Sequence, residues 1–299
     1  MRLGVIVNPT AGRGAGKAEG AKAIELFRAA GIEVVDLTGA DLNEANANAR
    51  HAINDSQVDG IVVVGGDGIA HLGVNLCAGT DLPLGMIGAG TGNDLARSIG
   101  MPLNDTAGSV EIILAHLNNP RTVDAVKAQT STGEFWFFGT ISAGFDALVN
   151  QRANRWRWPK GPSRYTLAML AELASFKPIH YEATIDGEHR SFQAMLCAVA
   201  NSESFGGGMR VAPNAIIDDG LLELFIVHSI SRPEFIKVFP KVFTGEHIHH
   251  PAVEIIQAKQ VKISSGNMPA YSDGEAVGHS PVSAQIMPGS LRVFAPKSA

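Results

Sequence analysis

Residues 62–75 read VVVGGDGIAHLGVN, an apolar run that meets two glycines, an aspartate and a third glycine before a second apolar stretch begins. The β-branched run from Ile61 to Val64 suits a strand buried on both faces of a parallel sheet, and the residues from Ile69 onward predict a helix. The loop then lies at a strand's carboxyl end. In open α/β sheets that edge is where ligands bind: glycines let backbone N–H groups approach an anion, and the following helix contributes its positive end. The loop is therefore a candidate phosphate site. The competing reading is a tight strand-to-helix turn with Asp67 as its cap.

Around this stretch, strands and helices alternate: LGVIV, a helix over about 17–30, IEVVDL, a helix around 42–54, GIVVV, another helix, and PLGMI. That pattern predicts a parallel sheet wrapped by helices. After about residue 121 the texture changes to longer alternating strands, FWFFGTIS, YEATID, HRSFQAMLCAVA, LLELFIV, VEIIQAKQVKIS and SLRVFA, a mostly antiparallel half. A helix over SRYTLAMLAELASF and another after Ser231 interrupt it. No repeat or linker separates the halves, so they are expected to share an interface, the usual place for a substrate cleft.

A chain of 299 residues with 45% hydrophobic content is long enough for a large core and about two domains. No run approaches the ~18–20 apolar residues of a membrane span, and MRLGVIVNPT enters a strand directly, which predicts a cytoplasmic protein. Cys77 and Cys197, far apart in apolar surroundings, read as core thiols. A net charge of −5 weighs against nonspecific nucleic-acid binding.

Two other loops carry candidate chemistry. NPTAGRGAGK (8–17) is glycine-rich but fails as a P-loop, lacking the first glycine and having Ala18 where Ser or Thr belongs. Its Asn8, Arg13 and Lys17 remain candidates for phosphate contacts. GAGTGNDLAR (88–97) repeats the design of the opening loop, with Thr91 as a hydroxyl and Asp94 at a helix start. Glycine loops cradle phosphate, and separated carboxylates hold Mg2+ against it directly or through water. DGE occurs twice, and its first copy (186–188) has the look of a hairpin tip.

The ordered set NPTAGR, GGDG, GTGNDLAR, a GGG segment, PNAIIDDGLLEL and a late DGE resembles the bacterial diacylglycerol kinase family of soluble lipid kinases. The resemblance spans nearly the whole chain. It implies an N-terminal three-layer α/β nucleotide domain over about 1–122, rejoined by 289–299, and a mostly antiparallel β-sandwich over 123–288. It implies ATP-dependent phosphorylation of a lipid hydroxyl with Mg2+. Carried over by position, Val64, Gly65, Gly66, Asp67, Gly68, Ile69 and Ala70 line the nucleotide phosphates, and Thr38 and Thr91 contact ATP. Asp67, Asp94 and Asp124 match the acidic network around the catalytic Mg2+. A second, structural Mg2+ maps to the Asp219 side chain and the carbonyls of Ile216 and Leu221. Asp273 matches the proposed general base, with Glu275 nearby.

The commoner family pattern has Thr and then Asn-Glu where this chain has Ile69, His71 and Leu72. A hydroxyl at 69 would add a hydrogen bond to phosphate, so Ile69→Thr is expected to improve use of ATP. Another small-molecule kinase of the superfamily, or a non-catalytic nucleotide or lipid binder, are the rival readings. The histidines of EHIHH (246–250) read as a polar loop without metal. The basic, Trp-rich stretch 152–165 is a candidate for transient contact with an anionic membrane surface. Oligomeric state stays open, a homodimer included.

Overall fold

The computed structural model describes residues 1–297 apart from 145–147, 150, 153–155, 157–166, 169–170 and 172–176; the side chain of Arg13 also lies outside the described residues. The helix expected over SRYTLAMLAELASF falls almost wholly outside them, as does most of 152–165. The chain divides into two compact units, Met1–Ala125 with Pro288–Ala299, and Val126–Met287.

The first unit is built from β1 (Arg2–Val7), the short α1 (Ala11–Gly14), α2 (Gly16–Ala29), β2 (Glu33–Asp36), α3 (Leu42–Asn54), β3 (Gly60–Gly65), α4 (Asp67–Cys77), β4 (Leu84–Gly88), α5 (Asp94–Ser98) and α6 (Thr106–His116). The end of the last strand, β15 (Val282–Val293), closes a parallel sheet in the order β15-β4-β3-β1-β2. Every residue of β3 and β4 is buried, which explains their unbroken apolar runs. Helix α2 packs against α6, and α3 against α4. Local chemistry fixes the helix starts: Asp41 accepts from the Glu44 N–H at 2.9 Å while Glu44 reaches back to the Ala40 N–H at 2.7 Å, and Asp105 caps α6.

The second unit is antiparallel. It contains the end of β5 (Arg121–Thr130), then β6 (Gly133–Phe137), β7 (Thr140–Ser142), β8 (Ile179–Ile185), β9 (Glu188–Ala200), β10 (Leu222–His228), α7 (Arg232–Val238), β11 (Val253–Ala258), β12 (Gln260–Ser264), β13 (Pro269–Ser272) and β14 (Glu275–His279). The long β9 pairs with β8 along its first half, and with β7 and β10 along its second. Leu222, Leu224 and Ile226 enter the main core with Tyr181 and Phe137, whereas Phe225 and Val227 point to the other face and a second apolar cluster. Ser231 caps α7, the helix expected there, and 3-10 turns follow at Phe239–Phe243 and Glu246–His249.

VEIIQAKQVKIS, expected as one strand, is two. The chain turns at Lys259, where the Asp186 carboxylate accepts the N–H groups of Lys259 and Gln260, so β11 pairs with β10 while β12 pairs with β8 and β15. Both cysteines are buried, and burial pushes the Cys77 thiol far above its ordinary value. No described helix is long and apolar enough to cross a membrane.

Candidate active site

In the first unit, every candidate loop follows the carboxyl end of a parallel strand, and backbone bonds stitch these loops together. The Asn8 N–H donates to the Val64 carbonyl, the Ala89 N–H to the Gly65 carbonyl, and the Thr38 hydroxyl accepts from the Val7 N–H at 3.0 Å. Asn8 also folds its own loop, its Oδ1 accepting from the N–H and hydroxyl of Thr10. The segment after β1 forms α1 before α2 begins at Gly16, a shorter break than the glycines suggest.

The GGDG and GTGND loops lie backbone against backbone. A Cβ on Gly90 would stand 2.5 Å from the Gly66 Cα, closer than any real side chain approaches, so glycine is required for that contact. Asn93, in a left-handed conformation, clamps the second loop by accepting from the Gly90 N–H at 2.8 Å and donating to the Gly90 carbonyl at 3.1 Å. Sequence reasoning missed this residue as a positioning group; its position beside Gly92, where Asn tolerates left-handed backbone, was the available signal. Thr91 is exposed on the same loop.

Asp67 begins α4 and accepts from the Leu95 N–H at 3.2 Å, tying α4 to α5. Its Oδ2 would lie 2.6 Å from a Cβ on Gly92, and the Asp94 Oδ2 would lie 3.6 Å from the same point. Two carboxylate oxygens thus converge on the space that glycine leaves open. Arg97 holds Asp94 through an ion pair and also donates to the Gly92 carbonyl. Such a pair fits Mg2+, which takes one or two carboxylates and keeps waters and substrate phosphates for its other positions. Asp124 is buried on β5 with its Oδ1 accepting from the Gly289 N–H at 2.7 Å. Among the described residues no group of three or more His, Cys, Asp or Glu side chains gathers as a metal cluster, so Asp124 is not drawn into one with Asp67 and Asp94.

Ile69, expected at the phosphates, turns its side chain inward: it is 2% exposed and lies among Val63, Met86, Ile87 and Ala96. The backbone of the first α4 turn is left to face an anion, through N–H groups such as those of Gly68 and Ile69, since that of Ala70 already donates to the Gly66 carbonyl at 3.2 Å. The expected benefit of a hydroxyl at 69 is therefore corrected.

In the second unit, Asp273 and Gly274 both have positive φ and join β13 to β14, as Asp186 and Gly187 join β8 to β9. Both DGE copies are hairpin tips of the type that needs such backbone. The Asp273 carboxylate is buried and accepts from the N–H groups of Gly139 at 3.1 Å, Thr140 at 2.9 Å and Phe138 at 3.4 Å. Glu275, two residues on, is exposed. In the DDG loop the Asp219 Oδ1 accepts from the Leu221 N–H at 3.0 Å, and Ile216 is exposed nearby in sequence. Glu223, buried beside it on β10, has its carboxyl pushed above the ordinary range by burial.

The second apolar cluster encloses a cavity of about 60 Å³ walled by Leu196, Phe225 and Val227 from the sheet and by Phe235, Val238 and Phe239 from α7 and the turn after it. His247 also lines it. Against the expectation of a polar loop, His247 is 2% exposed, donates from Nε2 to the Val211 carbonyl at 3.1 Å, and is pushed below its ordinary pKa by burial. Trp156 packs against this cluster.

Residues 2–128 match the diacylglycerol kinase catalytic domain, and residues 139–295 match the YegS C-terminal NAD kinase beta sandwich-like domain. A diacylglycerol kinase of Mycobacterium tuberculosis (strain ATCC 25618 / H37Rv) is 36% identical over 298 residues, 99% of this chain and 96% of that one. A diacylglycerol kinase of Bacillus subtilis (strain 168) is 30% identical over 288 residues, 94% and 91% of the two chains. The solved structure of a diacylglycerol kinase from Bacillus anthracis str. Sterne, 22% identical, covers 99% of this chain and 97% of that one with a TM-score of 0.72, a likeness of fold. The motifs, the two-part fold and these relatives agree: the chain belongs to the diacylglycerol kinase family and is an ATP-dependent lipid kinase.

Proposed function

We propose that this kinase transfers the γ-phosphoryl group of ATP to the hydroxyl of a lipid alcohol such as diacylglycerol. The acceptor oxygen forms the new P–O bond, the bond to ADP breaks, and the acceptor proton passes to a carboxylate. The observation that carries the reading is the pair of stacked glycine loops with Asp67 and Asp94 converging over Gly92 at the carboxyl edge of the sheet. Phosphoryl transfer needs positioning and charge neutralisation more than covalent help, and that is what such an edge offers.

In this scheme Asn8, Arg13, Thr38, Thr91 and the backbone of residues 64–70 hold the nucleotide. Asp67 and Asp94 hold Mg2+, which would neutralise charge developing on the phosphates; Asp124, the third carboxylate of the family's acidic network, acts from β5, where the Gly289 N–H fixes it. Asp273 takes the acceptor proton, with Glu275 beside it. Asp219 with the carbonyls of Ile216 and Leu221 holds a second, structural Mg2+; one carboxylate and two carbonyls are oxygen ligands of the kind that ion prefers. The apolar cavity walled by Phe225 and Phe235 presents almost no polar surface, and at about 60 Å³ it takes the first few carbons of an acyl chain. The protein works in the cytoplasm, visits the membrane transiently, and needs no nucleic acid.

The test is ADP formation with a panel of lipid alcohols, namely diacylglycerols, monoacylglycerols and a sphingoid base, with and without Mg2+. Lipid-dependent ADP release with a phosphorylated lipid product supports the reading. ATP binding without any lipid-dependent turnover across the panel would overturn it.

A further inference from the structure

Residues 232–243, RPEFIKVFPKVF, fold as α7 and the 3-10 turn that follows it. One side of this segment is buried in the wall of the apolar cavity, through Phe235, Val238, Phe239 and Val242. The segment also carries Ile236, 50% exposed, and at its end Phe243, 52% exposed. The same twelve residues carry Arg232, Lys237 and Lys241, all exposed, on a chain whose net charge is −5. The exposed acidic group on α7, Glu234, is paired with His250 at 3.3 Å, and Glu246 lies beyond the segment.

An aromatic ladder links buried residues to exposed ones. Phe235 stacks on Phe239 with ring centroids 6.1 Å apart, and Phe239 meets Phe243 edge-on at 6.2 Å. Phe235 is buried, Phe239 half-buried and Phe243 exposed, so the ladder runs from the cavity wall to the protein surface. We propose that this segment is a docking face that sits on an anionic bilayer, Ile236 and Phe243 entering the boundary between headgroups and acyl chains, the basic residues against lipid phosphates. The ladder then gives an acyl chain an apolar path from the bilayer toward the cavity. Apolar groups together with cations are the chemistry that selects an anionic lipid surface over neutral lipid. The inference rests on the reading of the protein as a lipid kinase, and it concerns how that enzyme reaches its substrate.

Vesicle flotation tests it, using pure phosphatidylcholine and phosphatidylcholine with phosphatidylserine. Each basic residue near an anionic surface is worth about fivefold in partitioning. Lys237→Gln with Lys241→Gln is therefore expected to lower binding to the anionic vesicles by about 20-fold at low salt and to leave the weak binding to neutral vesicles unchanged. Ile236→Ser with Phe243→Ser is expected to lower binding to both kinds at least tenfold. The lysine pair should phosphorylate a dispersed short-chain diacylglycerol as the parent protein does, while losing activity on vesicle-embedded lipid; this arm holds even if the apolar pair folds poorly. Unchanged binding of both double variants to anionic vesicles would overturn the docking face and leave the lipid-kinase reading standing. Vesicle binding by the parent that both double variants lose, with no dispersed lipid phosphorylated by the parent, would support the face and overturn the kinase reading. A dimer that dissociates on these substitutions, with vesicle binding intact, would assign the face to a second copy and overturn the proposal.

Discussion

Asp273→Asn and Asp186→Asn make a matched pair, because the structure gives the two aspartates the same local task. Each sits at positive φ before a glycine at a hairpin tip, and each carboxylate accepts backbone N–H groups, from 138–140 in one case and from 259–260 in the other. Asparagine tolerates left-handed backbone and keeps one acceptor oxygen: at 186 that oxygen still takes the Lys259 and Gln260 N–H groups, while at 273 it keeps those of Gly139 and Thr140 and leaves the Phe138 N–H facing an NH2 group. The structural cost is on the order of 1–2 kcal/mol at the buried Asp273, which for a chain of this size lowers the melting temperature by roughly 2–8 °C, and is smaller at the exposed Asp186. Removal of a general base costs ~10²–10⁴ in turnover, equivalent to about 3–5 kcal/mol of barrier, well above the structural loss. The expected outcome is a melting temperature lowered by several degrees for Asp273→Asn and by less for Asp186→Asn, a 10²–10⁴-fold loss of kcat with nucleotide binding retained for Asp273→Asn, and less than a twofold change for Asp186→Asn. Thermal melting, steady-state kinetics and a nucleotide-binding assay read all three. Asp273→Asn turning over at the parent rate would refute its assignment as base, and equal losses at both sites would show that the effect is only structural.

Gly92→Ala places a methyl group 2.6 Å from the Asp67 Oδ2 and is expected to raise the Mg2+ concentration needed for half-maximal activity at least several-fold, with melting little changed, in a Mg2+ titration of ADP release. Gly90→Ala forces apart two backbones and should cost about 1–3 kcal/mol of stability, seen as a lowered denaturation midpoint. Asp219→Ala is expected to lower melting temperature and activity together, part of both returning as Mg2+ is raised; recovery absent at any Mg2+ concentration would argue against a metal at the DDG loop.

The alternating half of the fold is legible because β3 and β4 are buried on both faces, and nothing but an unbroken β-branched or apolar run satisfies that. The break inside VEIIQAKQVKIS is not legible. Its cause is the carboxylate of Asp186, more than 70 residues earlier, taking the Lys259 and Gln260 N–H groups, and no local residue signals a partner so distant. The two DGE copies show the same limit from the other side. Asp-Gly announces a tight hairpin in both settings, and the structure builds one in both, so the tripeptide cannot distinguish a structural carboxylate from a chemical one. His247 was read as polar from its neighbours Glu246, His249 and His250; its burial is decided by Phe225, whose ring meets it edge-on at 5.4 Å, and by the Val211 carbonyl. At the nucleotide edge the glycines and both aspartates were legible, whereas the clamp by Asn93 depends on its backbone conformation.

Position 69 shows how a family pattern and a physical environment come to disagree. A threonine beside a phosphate loop invites the inference of a hydroxyl donor, yet here the side chain lies in the third position of α4, on the face turned to the sheet, and is 2% exposed. A Cβ on Gly65 would meet the Ile69 Cγ2 at 2.8 Å, so the strand end and the helix turn are already in contact. Ile69→Thr keeps that methyl group and exchanges the Cγ1–Cδ1 arm for a hydroxyl. The lost apolar burial costs about 1.5 kcal/mol, and a buried hydroxyl adds ~1–3 kcal/mol unless it finds an acceptor. The Gly66 carbonyl, three residues back at the N-cap, is such an acceptor and offsets part of this, although it already takes the Ala70 N–H at 3.2 Å. The net loss is then about 1–3 kcal/mol, a melting temperature lower by roughly 3–10 °C, with the Michaelis constant for ATP within ~2-fold of the parent value because the backbone donors are untouched. Ile69→Val, which removes only the terminal methyl, should lose about half as much. A threonine variant that melts like the parent and binds ATP several-fold more tightly would show that the side chain at 69 reaches the nucleotide, and would refute the assignment of this position to the core.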